Sequence, residues 1–295
     1  MKLCLNILAI ISILVVACVV IICVISYIEN RKLVVTDYRI RDKKIPKEFD
    51  GYRIVQLSDL HNACFGNRNE YLINRVRDCK PDVIFITGDM IVGKPGQDVL
   101  FAADTMNDLC EIAPVYFSMG NHELRASIYT ETYGDMWQQF HNRLRPEIHV
   151  LPDRTEKIVS GHEYMYVHGV NLTPALYKRV IRTPMEPDYL DNIFGTCDAD
   201  RYHIFLAHNP DYFEEYASWG ANLTFSGHVH GGMIRIPLLG GALSPMIHFF
   251  PKYDKGLFEH KGHYMILSGG LGNHTFKFRV NNLPEIIVTT LVREP

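Results

Sequence analysis

The chain has 295 residues, 47% of them apolar and 21% charged, with a formal net charge of −3. That length supplies one sizeable core or two small ones. The near-neutral balance, with no basic cluster beside the motifs described below, excludes a broad nucleic-acid footprint, and no specific nucleic-acid partner is expected.

The first predicted element is the uncharged run from Leu3 to Ile28, LCLNILAIISILVVACVVIICVISYI. About 20 apolar residues cross a bilayer, so this run is long enough. It has no polar face, which argues against a buried core helix. Val16-Ala17-Cys18 resembles a lipoprotein cleavage box, but the apolar run continues past it to Tyr27, and a cleaved signal has a shorter apolar region. The expectation is an uncleaved single-pass helix, with residues 1–30 as a membrane anchor in the lipid bilayer and residues 31–295 as the domain that carries the chemistry. Arg31, Lys32, Arg39, Arg41, Lys43 and Lys44 follow the run, and only Lys2 precedes it. The positive-inside bias then places the large domain on the cytoplasmic side. Seven cysteines without a CxxC pair agree with a reducing compartment.

Beyond the anchor, short β-rich segments alternate with amphipathic ones. Strands are predicted at Val34–Arg41, Arg53–Leu57, Asp82–Thr87, Pro114–Met119, His203–Ala207 and Leu223–Ser226. Helices are predicted at Asn69–Asp78, Val99–Leu109 and Asp211–Ser218. Alternating strands and helices indicate a layered α/β architecture. Five of the strands end in Asp, His or Asn, and the carboxyl ends of strands are where α/β folds place ligands. These endings supply Asp59 and His61, Asp89, Asn121 and His122, His208, and His228 and His230.

In an extended segment residues i and i+2 face the same way, so His228 and His230 of FSGHVHGG can reach one small object. The flanking glycines permit a sharp turn and close approach. The whole set mixes imidazole, carboxylate and amide oxygen, which suits Zn, Fe or Mn. It exceeds what one ion needs, and the two oxygens of Asp89 can bridge a pair. Two-metal sites, with ions about 4 Å apart, clamp the attacking and leaving oxygens of a phosphoryl displacement.

The blocks LSDLHN (57–62), TGDM (87–90), GNHE (120–123), AHNP (207–210) and GHVHGG (227–232) together resemble the calcineurin-like metallophosphoesterases. With the late LPEIIVTTL they are most similar to the membrane-associated phosphodiesterase branch of the YaeI and YkuE type and its UDP-2,3-diacylglucosamine pyrophosphatase relatives. The resemblance implies a four-layer α/β/β/α sandwich and two divalent transition-metal ions as cofactors, Mn, Fe or Zn. It implies that Asp59, His61 and His230 hold one ion, that Asn121, His208 and His228 hold the other, and that Asp89 bridges them. His122 would contact the substrate phosphate and stabilise or protonate the leaving group. Glu123 would orient His122 or cap the helix that follows. The branch often has glutamine after GHxHGG, where this chain has Met233, so Met233 becomes a candidate for a substrate contact.

The implied activity is hydrolysis of a phosphodiester or pyrophosphate bond by metal-activated water, on a phosphate-ester substrate for which the anchor suggests a lipid-linked form. The alternatives are a nuclease of the same fold, which needs a basic groove, and a non-catalytic metal-binding scaffold, in which the ligand positions should be eroded. Three further features are weighed. Gly272-Asn273-His274 mimics the GNHE block and is read as a loop. The apolar, glycine-broken stretch 237–256 is read as core or as a lipid-facing wall. Cys64 is read as a packed thiol rather than a sensor of metals or oxidants, and the remaining histidines as surface or packing residues.

Overall fold

Successive residues of a strand face opposite ways, so alternation within the short apolar strands decides which layer each side chain enters. The structure is a computed structural model that describes residues 2–178, 182–232, 234–236, 239–243, 250–273 and 278–295. Met233, His248, His274 and parts of the 237–256 stretch lie outside the described residues.

The helices are α1 (Lys2–Glu29), α2 (Glu70–Asp78), α3 (Leu100–Leu109), α4 (Asn121–Ile128), α5 (Thr130–Tyr133), α6 (Met136–Arg143), α7 (Tyr189–Phe194) and α8 (Phe213–Trp219). The first strands are β1 (Val34–Asp42), β2 (Arg53–Leu57), β3 (Val83–Ile86), β4 (Val115–Phe117) and β5 (Ile148–Val150). They are followed by β6 (Arg154–Ser160), β7 (Glu163–Val170), β8 (His203–Ala207) and β9 (Leu223–Ser226). The last are β10 (Ile234–Ile236), β11 (Gly240–Leu243), β12 (Gly256–His260), β13 (His263–Leu267) and β14 (Glu285–Arg293).

One six-stranded sheet runs β1-β14-β2-β3-β4-β5 and a second runs β12-β13-β9-β8-β7-β6, while β10 and β11 form a separate two-stranded ribbon. Strands β2 to β5 are mutually parallel, as are β7, β8, β9 and β13. Their carboxyl ends therefore gather at one edge of each sheet. Val55, Ile84, Ile86, Val115 and Phe117 face α2, α3, α4 and α6 in one core. The alternate residues Ile54, Val83, Phe85 and Tyr116 meet Ile204, Leu206 and Phe225 between the sheets. Phe205 and Ala207 turn outward to Tyr212 and Tyr216 under α7 and α8. The result is the expected four-layer α/β/β/α sandwich. Phe85 and Phe225 touch edge to face across the two sheets at 5.4 Å.

Each predicted strand and helix is present within two residues of its expected ends. The hairpins β6–β7 and β12–β13 and the helices α4 to α7 add to that reading. Helix α1 is long and apolar enough to cross a membrane, from Leu5 to Glu29. Its apolar side chains point outward, as at Ile13 (67% exposed) and Leu14 (63%). Among the described residues it docks on the rest of the chain near its end, where Ser26 is buried and accepts a hydrogen bond from the Arg279 backbone N–H at 2.9 Å.

Candidate active site

The loops past β2 and β3 keep the ladder of their strands: the Asp59 N–H donates to Gly88 O at 2.9 Å and the His61 N–H to Asp89 O at 3.0 Å. The loops past β8 and β9 do the same, with the Gly227 N–H donating to His208 O at 3.0 Å. Cross-links then fasten one sheet edge to the other. Gln56 Nε2 donates to Ser226 O at 2.8 Å, His208 Nδ1 lies 2.6 Å from Thr87 O, and the His228 N–H reaches Asp59 Oδ1 at 3.1 Å. Asp59, His61, Asp89, His122, His208, His228 and His230 are all buried at this junction, and Asn121 opens α4 beside them.

The backbone here is held in the left-handed region. Asp59 (φ 53°), His61 (45°), Asn62 (56°), Asp89 (55°), His228 (75°) and His230 (54°) all have positive φ. Such non-glycine conformations each cost about 1–3 kcal/mol and persist only where the surroundings over-determine them. This corrects the extended reading of His228 and His230. β9 ends at Ser226, the two histidines sit in the turn after it, and their rings part. His230 Nε2 lies 3.4 Å from Asp59 Oδ1, whereas His228 groups with Asp89 and His208. Gly231, at φ 67°, carries the turn. Clearance beside the carboxylates comes from Gly227 instead, where a Cβ would stand 2.0 Å from Ser58 Oγ and 2.5 Å from Asp59 Oδ2.

Tautomers divide the imidazoles into two kinds. His61, His208 and His230 each turn Nδ1 to a backbone carbonyl: Ile91 O at 3.2 Å, Thr87 O at 2.6 Å and Gly272 O at 3.0 Å. A neutral ring donates there, so its Nε2 lone pair faces inward. His122 is opposite. Its Nδ1 accepts the Gly93 N–H at 2.7 Å, so its Nε2 carries the proton.

The inward lone pairs crowd. His61 Nε2 and His230 Nε2 are 3.3 Å apart, and the buried atoms His208 Nε2, His228 Nε2 and Asn121 Oδ1 have no hydrogen-bond partner. Three groups of donor atoms, each within 4.8 Å of one another, result: Asp59 with His61 and His230, Asp89 with His208 and His228, and His61 with Asp89 and His122. Asp89 Oδ2 stands between them, 3.2 Å from His208 Nε2 and 3.7 Å from His61 Nε2. A cation resolves such a set of acceptors, and the residues present therefore fit metal ions.

Electrostatics point the same way. Burial opposes ionisation of Asp89, but the His208, His122 and His61 rings hold it well below the usual carboxylate range. Burial likewise opposes charge on His208, yet Asp89 and Asp59 outweigh it and raise its pKa to about 9, so the carboxylates draw positive charge to this ring, and a metal ion held there would replace its Nε2 proton. Burial pushes His228 and His230 down, which keeps their lone pairs available. Asp89 also sits at the amino end of α4, where Oδ1 accepts the His122 N–H at 2.9 Å, a favourable place for an anion.

Residues 52–232 match the calcineurin-like phosphoesterase family. The chain belongs to that family. It is a hydrolase acting on phosphoester bonds, from a family of dinuclear-metal enzymes. It is 26% identical over 275 residues to the metallophosphoesterase YkuE of Bacillus subtilis, covering 90% of this chain and 87% of that protein. It is 25% identical over 260 residues to the phosphodiesterase YaeI of Escherichia coli, with 82% of each chain covered. It is 25% identical over 297 residues to the UDP-2,3-diacylglucosamine pyrophosphatase LpxG of Chlamydia muridarum, covering 86% of this chain and 88% of that one.

Around this metallophosphoesterase centre stand Glu123, in the capping role the motif allowed, and Tyr177 and Asn282, which the motifs did not single out. Tyr177 stands with its ring 5.3 Å from His228 and 6.3 Å from His208. It lies in a single 3-10 turn, Pro174–Tyr177, not at a strand end, so no pattern marked it. Glu123 is buried and accepts the N–H groups of Asp89 (2.8 Å), Gly120 (3.0 Å) and Ile91 (3.0 Å), bonds that cap α4 and fix the Asp89 loop. Asn282 Nδ2 donates to His230 O at 2.6 Å and Gly232 O at 2.7 Å. Elsewhere His168 and His203 bond each other at 2.9 Å in an aromatic cluster with Phe194, Phe205 and Trp219, a packing role. Cys64 is exposed rather than packed as expected, because it lies in the loop after the first block with its thiol on Gly66 O.

The close approach at Gly227 gives a test that touches no donor residue. Gly227→Ala displaces Asp59 by the room a methyl needs, and a misplacement of about 1 Å lowers turnover by about 10²-fold. The measurement is kcat with metal content on the same preparation. Wild-type activity in Gly227→Ala would show that this contact does not position Asp59.

Proposed function

We propose that the chain is a membrane-anchored, dinuclear-metal-dependent phosphoesterase that cleaves a phosphodiester or pyrophosphate bond of a lipid-linked substrate. The observation that carries this reading is the position of Asp89 between two buried donor groups. Asp59, His61 and His230 would hold one ion, Asn121, His208 and His228 the other, and Asp89 both. The mixed N and O donors suit Mn, Fe or Zn. When bound, such a pair polarises phosphoryl oxygens and lowers the pKa of water to a usable range.

The chain's own residues supply the rest. The backbone bonds on Nδ1 of His61, His208 and His230 fix each ring and its tautomer. His122 is suited to another task. Its Gly93 bond leaves Nε2–H as a donor, 3.9 Å from Asp89 Oδ2, where it can hydrogen-bond a phosphoryl oxygen and stabilise charge developing on the leaving oxygen. Glu123 sets the register of the Asp89 loop against α4, so the carboxylate and His122 move as one unit. Tyr177 walls the His228 side.

The lipid-linked substrate is supported by α1 and by the printed activity of LpxG, a pyrophosphatase of UDP-2,3-diacylglucosamine. The anchor reading, with residues 31–295 as the catalytic domain, is supported by apolar side chains that face outward along α1, since a core helix would bury them. Of the six basic residues after the helix, Arg39 and Arg41 lie within β1 and Lys43 and Lys44 beyond it, which leaves Arg31 and Lys32 in the connecting segment. These two, with the four free thiols of residues 31–295, support a cytoplasmic domain.

Full-length, Mn-loaded protein in detergent should hydrolyse bis-p-nitrophenyl phosphate or a nucleotide-sugar pyrophosphate. His122→Asn should lower turnover by about 10²–10³-fold with metal content unchanged, the usual worth of one positioned donor to developing charge. The loss should shrink for good leaving groups. Loss of metal together with activity would make His122 a ligand instead.

For the anchor, the full-length chain should resist carbonate extraction and keep its amino terminus. In a variant that retains Cys64 as its one thiol, an impermeant maleimide should label Cys64 only after cells are permeabilised. Labelling of intact cells would place the domain outside, and a mature chain beginning at Cys18 would replace the helix with a lipidated terminus.

A further inference from the structure

One five-residue segment, 278–282, touches both the anchor helix and the catalytic centre. Toward the helix, the Arg279 N–H donates to Ser26 Oγ at 2.9 Å and the Asn282 N–H to Glu29 Oε2 at 3.3 Å. Toward the centre, Asn282 Nδ2 holds His230 O. The Arg279 guanidinium is fully buried and spends its donors on main chain: Gly269 O, Gly270 O, Gly272 O and Asn282 O, all within 3.2 Å. Gly272 O is the partner of His230 Nδ1. The strap is therefore rigid, and it fixes the anchor's last turns against the site.

The strap also carries the β10–β11 ribbon. Ile234 bridges Val280 in parallel, the Arg235 N–H donates to Val280 O at 2.9 Å, and Asn281 Nδ2 donates to Arg235 O at 3.3 Å. On this ribbon Ile234 (37%), Ile236 (38%) and Leu239 (66%) expose apolar side chains to the outside. An isolated two-stranded ribbon is marginal in water and needs a cover for its apolar side. Between the strap and α1 lies a cavity of about 380 Å³ lined by Cys23, Ser26, Tyr27, Asn30, Arg31 and Phe278. The helix ends there with Arg31 stacked on the Tyr27 ring at 3.6 Å, an aromatic-cationic pair of the kind found at a membrane–water boundary.

Resting on the membrane-anchor reading, we propose that the β10–β11 ribbon is a second membrane contact, in which Ile236 and Leu239 insert into the same bilayer that holds α1. The occupant is lipid because the ribbon is fastened, through one rigid strap, to the turn at which the spanning helix leaves the bilayer. With the ribbon seated, the strap holds His230 one segment of chain away from the membrane contact. The substrate class this favours is an amphiphilic phosphoester whose tails stay in the bilayer while its phosphate reaches the metal centre.

The test uses the full-length chain in vesicles of phosphatidylcholine and phosphatidylglycerol that contain a lipid with an alkyne-tagged acyl chain. The photoreactive residue p-benzoylphenylalanine replaces, one at a time, Leu239, Ile236, Ile13 on the anchor, and Val159, which is exposed on the edge strand β6. The expected result is lipid adducts at Leu239 and Ile236 about tenfold or more above Val159 and comparable with Ile13. Adducts at Ile13 with none above Val159 at Leu239 and Ile236 overturn the proposal while leaving the anchor intact. Absence of adducts at Ile13 as well overturns both. The readout does not depend on hydrolysis, so failure of the phosphoesterase reading would be seen separately.

Discussion

The Nε2 atoms of His61 and His230 face each other at 3.3 Å inside a buried pocket that also holds two carboxylates. This crowding of acceptors is the constraint on which the rest depends. With Nδ1 of each ring turned to a backbone carbonyl, neutral imidazoles present both Nε2 atoms to the pocket as acceptors. Such a pocket is stable when cations sit in it. The sandwich supplies the rigidity to keep the acceptors together until they do. Parallel strands end at one edge, backbone ladders run on into the loops, and the side chains of Gln56 and His208 bond across the two sheets.

The strain at the site follows from the same constraint. Six consecutive or near-consecutive site positions in three loops take positive φ, and each is Asp, His or Asn. Asn and Asp tolerate that region better than most residues. The loops aim several side chains inward from few residues only by reversing direction sharply. Stability to hold them comes from the cores on either side, where aromatic and branched side chains such as Phe85, Phe117 and Phe225 are fully buried.

Much of this was legible in the sequence because strand and site carry independent signals. Apolar runs such as Val83–Ile86 and His203–Ala207 have strand length, and a polar residue directly after each marks the end that faces ligand. The conformation of HVH was not legible, since period-2 logic presumes an extended chain and the turn depends on Gly231 and on contacts from Asn282, some 50 residues later. The β12–β13 hairpin turns on Lys261 and Gly262, both with positive φ. Lysine at the first position hid a turn that Asn-Gly would have announced. Arg279 lay in no motif, and a lone arginine near the end of a chain reads as a surface residue until its carbonyl partners are known.

Taken together, anchor, strap and centre make one mechanical unit: Ser26 and Glu29 hold the segment that holds His230, and His230 pairs with Asp59. The account stands or falls on whether Asp89 joins two ions at this centre. Electron paramagnetic resonance of the full-length protein titrated with Mn(II) tests it most directly. The account predicts that a second equivalent converts an isolated Mn(II) signal into that of an exchange-coupled pair. A single binding equivalent, or two that remain magnetically independent, would contradict it.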